Sequence, residues 1–97
     1  MKQQIRLSSE ALLVLEEIGS FVEQRNTPGS GKRFKVAFLK KIKSELRLFS
    51  NHQHCKYPKF NDLNLRCFFI KDWIIAYRKE QGKIIIYIII LGKLLDY

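Results

Sequence analysis

The sequence predicts an α+β fold in the order β-α-α-β-β-β, a helical hairpin packed on a small antiparallel sheet. Three observations carry that expectation. Two stretches in the first half repeat apolar residues at spacings of three and four, as core-facing helices do. Three stretches in the second half are β-branched and aromatic, with tight turns between them. The chain has 97 residues, the length of one domain spanning residues 1–97, enough to bury a core without metal or disulfide staples.

The elements follow in order. Lys2 to Leu7 is short and half polar, as an edge strand is. Ser8-Ser9-Glu10 then supplies an N-cap hydroxyl and an acidic first-turn residue, so a helix starts there. Leu15, Ile18 and Val22, flanked by Leu12, Val14 and Phe21, give it an apolar stripe to about Arg25. Asn26 to Gly31 is a cluster of turn formers, too short for an interdomain linker, and reads as the loop of a helical hairpin. The second helix, from Lys32 to Phe49, presents Phe34, Phe38, Ile42, Leu46 and Phe49 to the core.

Residues Ser50 to Asn64 are polar and read as a loop crossing to the sheet. Strands follow over Leu65 to Ile70, Trp73 to Lys79 and Lys83 to Leu91, turning at Lys71-Asp72 and Glu80-Gln81-Gly82. The last is the most apolar, which predicts a central strand buried on both faces. Its run from Ile84 to Leu91 is under half of the roughly 20 residues a membrane helix needs, and the polar Met1 to Arg6 is unlike a signal peptide. No membrane association is expected.

Charge narrows the partners. Eighteen Lys and Arg against nine Asp and Glu give a formal net charge of +9, and residues 30–60 hold nine of the bases and one of the acids. Nucleic acid or an acidic protein is the expected partner. Arg33, Lys40, Lys43 and Arg47 fall on one side of the second helix, opposite its apolar stripe, and are the candidate binding residues. An ordinary solvated helix face is the plainer alternative, and the one-sided charge argues against it.

Two cysteines, Cys55 and Cys67, have no zinc-like spacing and are too few for a disulfide framework, so reduced thiols in a cytoplasmic protein are expected. His52, His54 and Cys55 lie within four residues but offer no fourth ligand at a usual spacing. A polar loop is the reading taken, with no metal and no cofactor.

The hairpin residues carry a resemblance. Leu65-Arg66-Cys67-Phe68-Phe69-Ile70-Lys71-Asp72-Trp73-Ile74-Ile75-Ala76-Tyr77-Arg78 resembles the corresponding segment of RelE/ParE superfamily toxins of type II toxin-antitoxin systems, the ParE-like branch above all. The shared pattern is Leu-Arg, an aromatic, a two-residue turn, a second aromatic, and an aliphatic strand closing in Tyr-Arg. Leu7 to Ala11 with Leu15 to Ile18 is similar to the family's first strand and helix start, and Pro58 stands where these toxins often place a proline.

That resemblance implies a growth-inhibiting toxin, of the kind that stabilises plasmids, checked by a cognate antitoxin with which it forms a hetero-oligomer. It leaves two activities open: poisoning of DNA gyrase without cutting anything, and cleavage of mRNA on the ribosome. A third reading, from charge alone, is a non-enzymatic module that binds nucleic acid. RNA cleavage needs a base, an acid and cations for the phosphorane charge. Arg66, Lys71, Arg78 and Tyr97 are the candidate catalytic residues, with Lys93 and Asp96 beside the last. The strand position that the ribonuclease branch often fills with Arg is Ile74, which weakens the nuclease reading. Solvated strand ends for Arg78, Lys79 and Lys93 and a frayed terminus for Tyr97 are the preferred account.

Overall fold

A computed structural model of the chain describes residues 4–57, 60 and 64–92. Its elements are β1 (Gln4–Leu7), α1 (Ser9–Arg25), α2 (Ser30–Leu48), β2 (Arg66–Ile70), β3 (Trp73–Glu80) and β4 (Lys83–Leu91), the order expected. Ser8 caps α1 as its sequence indicates, its Oγ accepting from the Ala11 N–H at 3.1 Å.

The hairpin closes more tightly than its turn residues suggested, because α2 starts at Ser30 rather than Lys32. Gly29 takes a left-handed conformation, φ 85°, which glycine adopts at no steric cost. The N-terminus of α2 has no side-chain cap of its own. The Glu23 carboxylate at the end of α1 accepts from the backbone N–H of Gly29 and of Gly31, both at 2.8 Å. Its negative charge meets the positive end of the α2 dipole. These two bonds, that from Gly31 the stronger, hold the Glu23 carboxyl below the usual carboxylate range. The helices touch where Gly31 lies against the Gly19 carbonyl, a contact that leaves no room for a Cβ.

The four strands are ordered β1-β4-β3-β2. β2, β3 and β4 form the antiparallel meander, while β1 lies parallel to β4, so the sheet is mixed. A parallel pair needs a long connection instead of a hairpin, and here the whole chain between β1 and β4 supplies it. A bulge opposite Ala76 and Tyr77 shifts the β4 register by one residue, so Ile84, Ile86 and then Ile89 face the helices. They meet Ala11 and Leu15 of α1, Phe38, Ile42 and Leu46 of α2, and Phe68, Ile75 and Tyr77 in one buried cluster.

The opposite face carries a second cluster of Cys55, Tyr57, Phe60, Leu65, Ile74 and Ala76. The segment after α2 is therefore not merely a polar crossing. Gln53 to Cys55 lies antiparallel beside β2, with a bridge between His54 and Arg66 and hydrogen bonds from Cys55 N–H to Leu65 O and Cys67 N–H to Gln53 O. Cys55 of this strap, with Tyr57 and Phe60 after it, packs on the outer face of β3, which is buried continuously from Ile74 to Tyr77. The strand buried on both faces is thus β3, whereas β4 alternates buried and half-buried residues because the strap stops short of it.

Two further expectations are corrected. Phe49 is not core but 53% exposed, because α2 ends at Leu48 and its last turn outruns the sheet. Cys55 and Cys67 are not free thiols but are joined in a disulfide. Their spacing is uninformative along the chain, but the strap brings their Cα atoms to 5.0 Å, within disulfide range.

Candidate partner-binding groove and basic helix face

The strands differ in length, and that difference makes the site. β1 pairs with β4 only from Lys83 to Ile86. The chain then turns away as Ser8 N–H donates to Ile86 O at 2.8 Å and Ser8 Oγ to Tyr87 O at 3.0 Å. Beyond that point Ile88 to Leu91 pair with β3 on one side, and among the described residues no strand lies on the other. Edge strands with open backbone groups are templates for an added strand.

Beside this open edge α1 stands off from the sheet. Val14, Ile18 and Phe21 on the helix, with Ile89 and Leu91 on the strand and Trp73 as an end wall, line an apolar groove of about 550 Å³. Glu17 is the one charged residue lining it. Phe21 is 55% exposed, with the Arg25 guanidinium 4.3 Å above its ring. By its spacing Phe21 flanks the core stripe of α1. The signal available was the mismatch between a short first strand and a nine-residue last one.

On α2, Arg33, Lys40 and Arg47 are exposed and Lys43 is half-buried, all on the side away from Phe38 and Ile42. The ion pairs among the described residues lie elsewhere, Lys35 with Glu16 and Arg78 with Glu80, and Glu45 is hydrogen-bonded to His52. Arg33 donates to Thr27 Oγ1 at 3.2 Å. Lys40, Lys43 and Arg47 have no carboxylate partner among the described residues, and together with Arg33 they present concentrated positive charge to solvent.

Among the described residues the candidate catalytic side chains Arg66, Lys71 and Arg78 do not converge. Arg66 pairs across the sheet with Tyr77 and donates to the His52 carbonyl, so it serves the strap. Arg78, one residue beyond Tyr77, points to the other face. There its guanidinium donates to Glu80 Oε2 at 2.8 and 3.1 Å and to Tyr87 Oη at 3.0 Å. That contact holds the Glu80 carboxyl below its usual range, with Tyr87 adding to the effect, and keeps Arg78 more firmly protonated. Lys71 occupies the turn at the far end of the hairpin with φ 53°, exposed. Tyr97, with Lys93, Asp96 and Pro58, lies outside the described residues.

His52, raised earlier as a metal ligand, is engaged otherwise. Its Nε2 is 2.9 Å from Glu45 Oε2 and its Nδ1 2.8 Å from Tyr77 Oη, and its ring stacks on Phe68. Cys55 is bonded to Cys67, and His54 is exposed on the strap. Among the described residues no three His, Cys, Asp or Glu side chains gather as a metal site would require.

An open strand edge beside an apolar groove, with a separate cationic helix face and scattered ionisable groups, belongs to a small α+β protein with a mixed four-stranded sheet. The model of the ParE toxin of the type II toxin-antitoxin system parDE matches residues 5–93, and the chain belongs to that family. Membership implies an antitoxin partner. A search of curated proteins found no match. Among the described residues no helix is long and apolar enough to cross a membrane.

Proposed function

We propose that the chain arrests growth in the cytoplasm by a ParE-like action on DNA gyrase, cutting nothing itself, and that its antitoxin restrains it by covering the groove and the α2 basic face. The observation that supports a non-nucleolytic action is the scatter of the ionisable groups. Arg66 and Arg78 sit on opposite faces, Lys71 lies at the other end of their hairpin, and Ile74 is fully buried where the ribonuclease branch often has an arginine. General acid–base cleavage needs such groups within reach of one phosphate.

For the antitoxin, an apolar segment pairing along Ile88 to Leu91 would fill the groove between Ile18, Phe21 and Trp73. Acidic residues flanking that segment would meet Arg33, Lys40, Lys43 and Arg47.

Inducible expression in a bacterial host tests the target. Growth arrest with intact messages and gyrase-dependent DNA damage is expected, read by primer extension on mRNA and by plasmid supercoiling. Arrest with messages cut on the ribosome would replace this reading with the RelE-like one. Normal growth despite soluble expression would leave a nucleic-acid-binding module.

A further inference from the structure

We propose that Cys55 and Cys67 are a reversible redox modification site, in which a thiol–disulfide exchange decides whether the strap stays locked on the outer edge of β2. The proposal is independent of the toxin reading, because it concerns the isolated chain.

β2 is the edge strand opposite β1, and among the described residues the strap is what covers its outer side. The strap is short there. Two backbone hydrogen bonds, Cys55 N–H to Leu65 O at 2.9 Å and Cys67 N–H to Gln53 O at 3.1 Å, are its whole ladder, and the disulfide links the same two residues. A two-bond ladder at an edge opens readily, and since Tyr77 and Arg66 anchor Ser50 and His52 upstream of it, the stretch left to the disulfide is Gln53 to Cys55. Cross-linking residues separated by 12 in sequence removes most of the freedom the strap would gain on opening.

The two sulfurs are unequally placed. Cys55 is buried at 3% exposure under the strap, while Cys67 on the edge strand is partly exposed. An incoming thiolate therefore reaches the Cys67 sulfur first, and Cys55 departs as the thiolate and takes a proton from solvent. A second thiol then attacks the small-molecule sulfur of this mixed disulfide and Cys67 leaves as the thiolate and is protonated, so two small-molecule thiols become one disulfide and the protein gains two protons and two electrons. Oxidation is the reverse, with a disulfide such as glutathione disulfide as the electron acceptor. The chain has no third cysteine to divert this exchange.

Opening the strap would uncover the β2 edge. The β4 groove lies on other elements and would be unchanged.

The purified full chain, equilibrated in glutathione buffers from fully reduced to fully oxidised and followed by thiol alkylation and amide hydrogen exchange, tests this. The pair is expected to interconvert reversibly while the chain stays folded. In the dithiol form, exchange at the Cys55 and Cys67 amides is expected to rise tenfold or more, with β3–β4 ladder amides unchanged. The Cys55→Ser/Cys67→Ser double variant is expected to reproduce the dithiol pattern in any buffer. Equal protection in both forms would overturn the proposal. So would a disulfide that yields only when the whole chain unfolds, or thiols that never pair in excess glutathione disulfide.

Discussion

Tyr77 Oη lies 2.8 Å from His52 Nδ1, joining the middle of β3 to the strap. The hydroxyl also donates to the Ser50 carbonyl at 2.8 Å and accepts from the His52 backbone N–H at 3.2 Å. His52 passes the connection on to Glu45 of α2. One fully buried tyrosine therefore ties sheet, strap and second helix together. Burial pushes its phenol above the ordinary range, so it remains a neutral donor well into the alkaline range.

Tyr77→Phe keeps the ring and removes the hub. The Ser50 carbonyl and the His52 N–H lose their partner, which costs about 1–3 kcal/mol when such groups are left unsatisfied. Urea unfolding followed by Trp73, the one tryptophan, should show a lower midpoint with an unchanged slope.

Gly31→Ala and Gly82→Ala should differ in kind. A Cβ at Gly31 collides with the Gly19 carbonyl where the helices touch, and both backbones must move. Overpacking of this sort costs about 1–3 kcal/mol or more. Gly82 has open space around it, so its substitution meets only the penalty of φ +69°, roughly 1 kcal/mol. Thermal denaturation of the two variants should rank Gly31→Ala as the less stable.

How far these features could be read from sequence depends on whether they are local. Periodicity placed Leu15, Phe38, Ile42 and Leu46 in the core, and Ser8 announced its own cap. Contacts between distant segments were not legible. Nothing near Cys55 says that it meets Cys67, and the Glu23 cap on α2 depends on how tightly the hairpin closes. Phe49 continued the stripe numerically but had no sheet left to cover. For the site, the basic face was readable from spacing alone. The groove was not, since it exists only because β1 stops four residues along β4.

Stability should fall in acid partly through Glu23. Its folded-state pKa is lowered by the Gly31 and Gly29 N–H groups, so its contribution is fully present above the unfolded value of about 4.5 and is lost as pH falls through the lower folded value. Glu23→Gln should lower the melting temperature at pH 7 and flatten its decline below pH 5. Identical slopes for the variant and the native chain would exclude this cap as a source of acid sensitivity.

Antitoxin binding should depend on salt. Reversing Lys40, Lys43 and Arg47 to Glu should slow association roughly tenfold or more at low ionic strength and remove most of the salt dependence. Titration calorimetry and stopped-flow mixing at two or three salt concentrations read both effects. A triple variant that binds as the native chain does would assign this face to something other than the antitoxin.

The most direct test of the account is growth of a bacterial host carrying the native chain or Phe21→Asp, each with and without the cognate antitoxin. Phe21 is exposed, so the variant should fold, and its carboxylate would sit in the apolar groove that the antitoxin fills. The native chain should arrest growth alone and be neutralised by the antitoxin. The variant should arrest growth in both cases, with antitoxin affinity down roughly thirtyfold or more, as loss of a central anchor produces. Unimpaired growth on expression of the native chain, or full rescue of the variant by the antitoxin, would contradict the account.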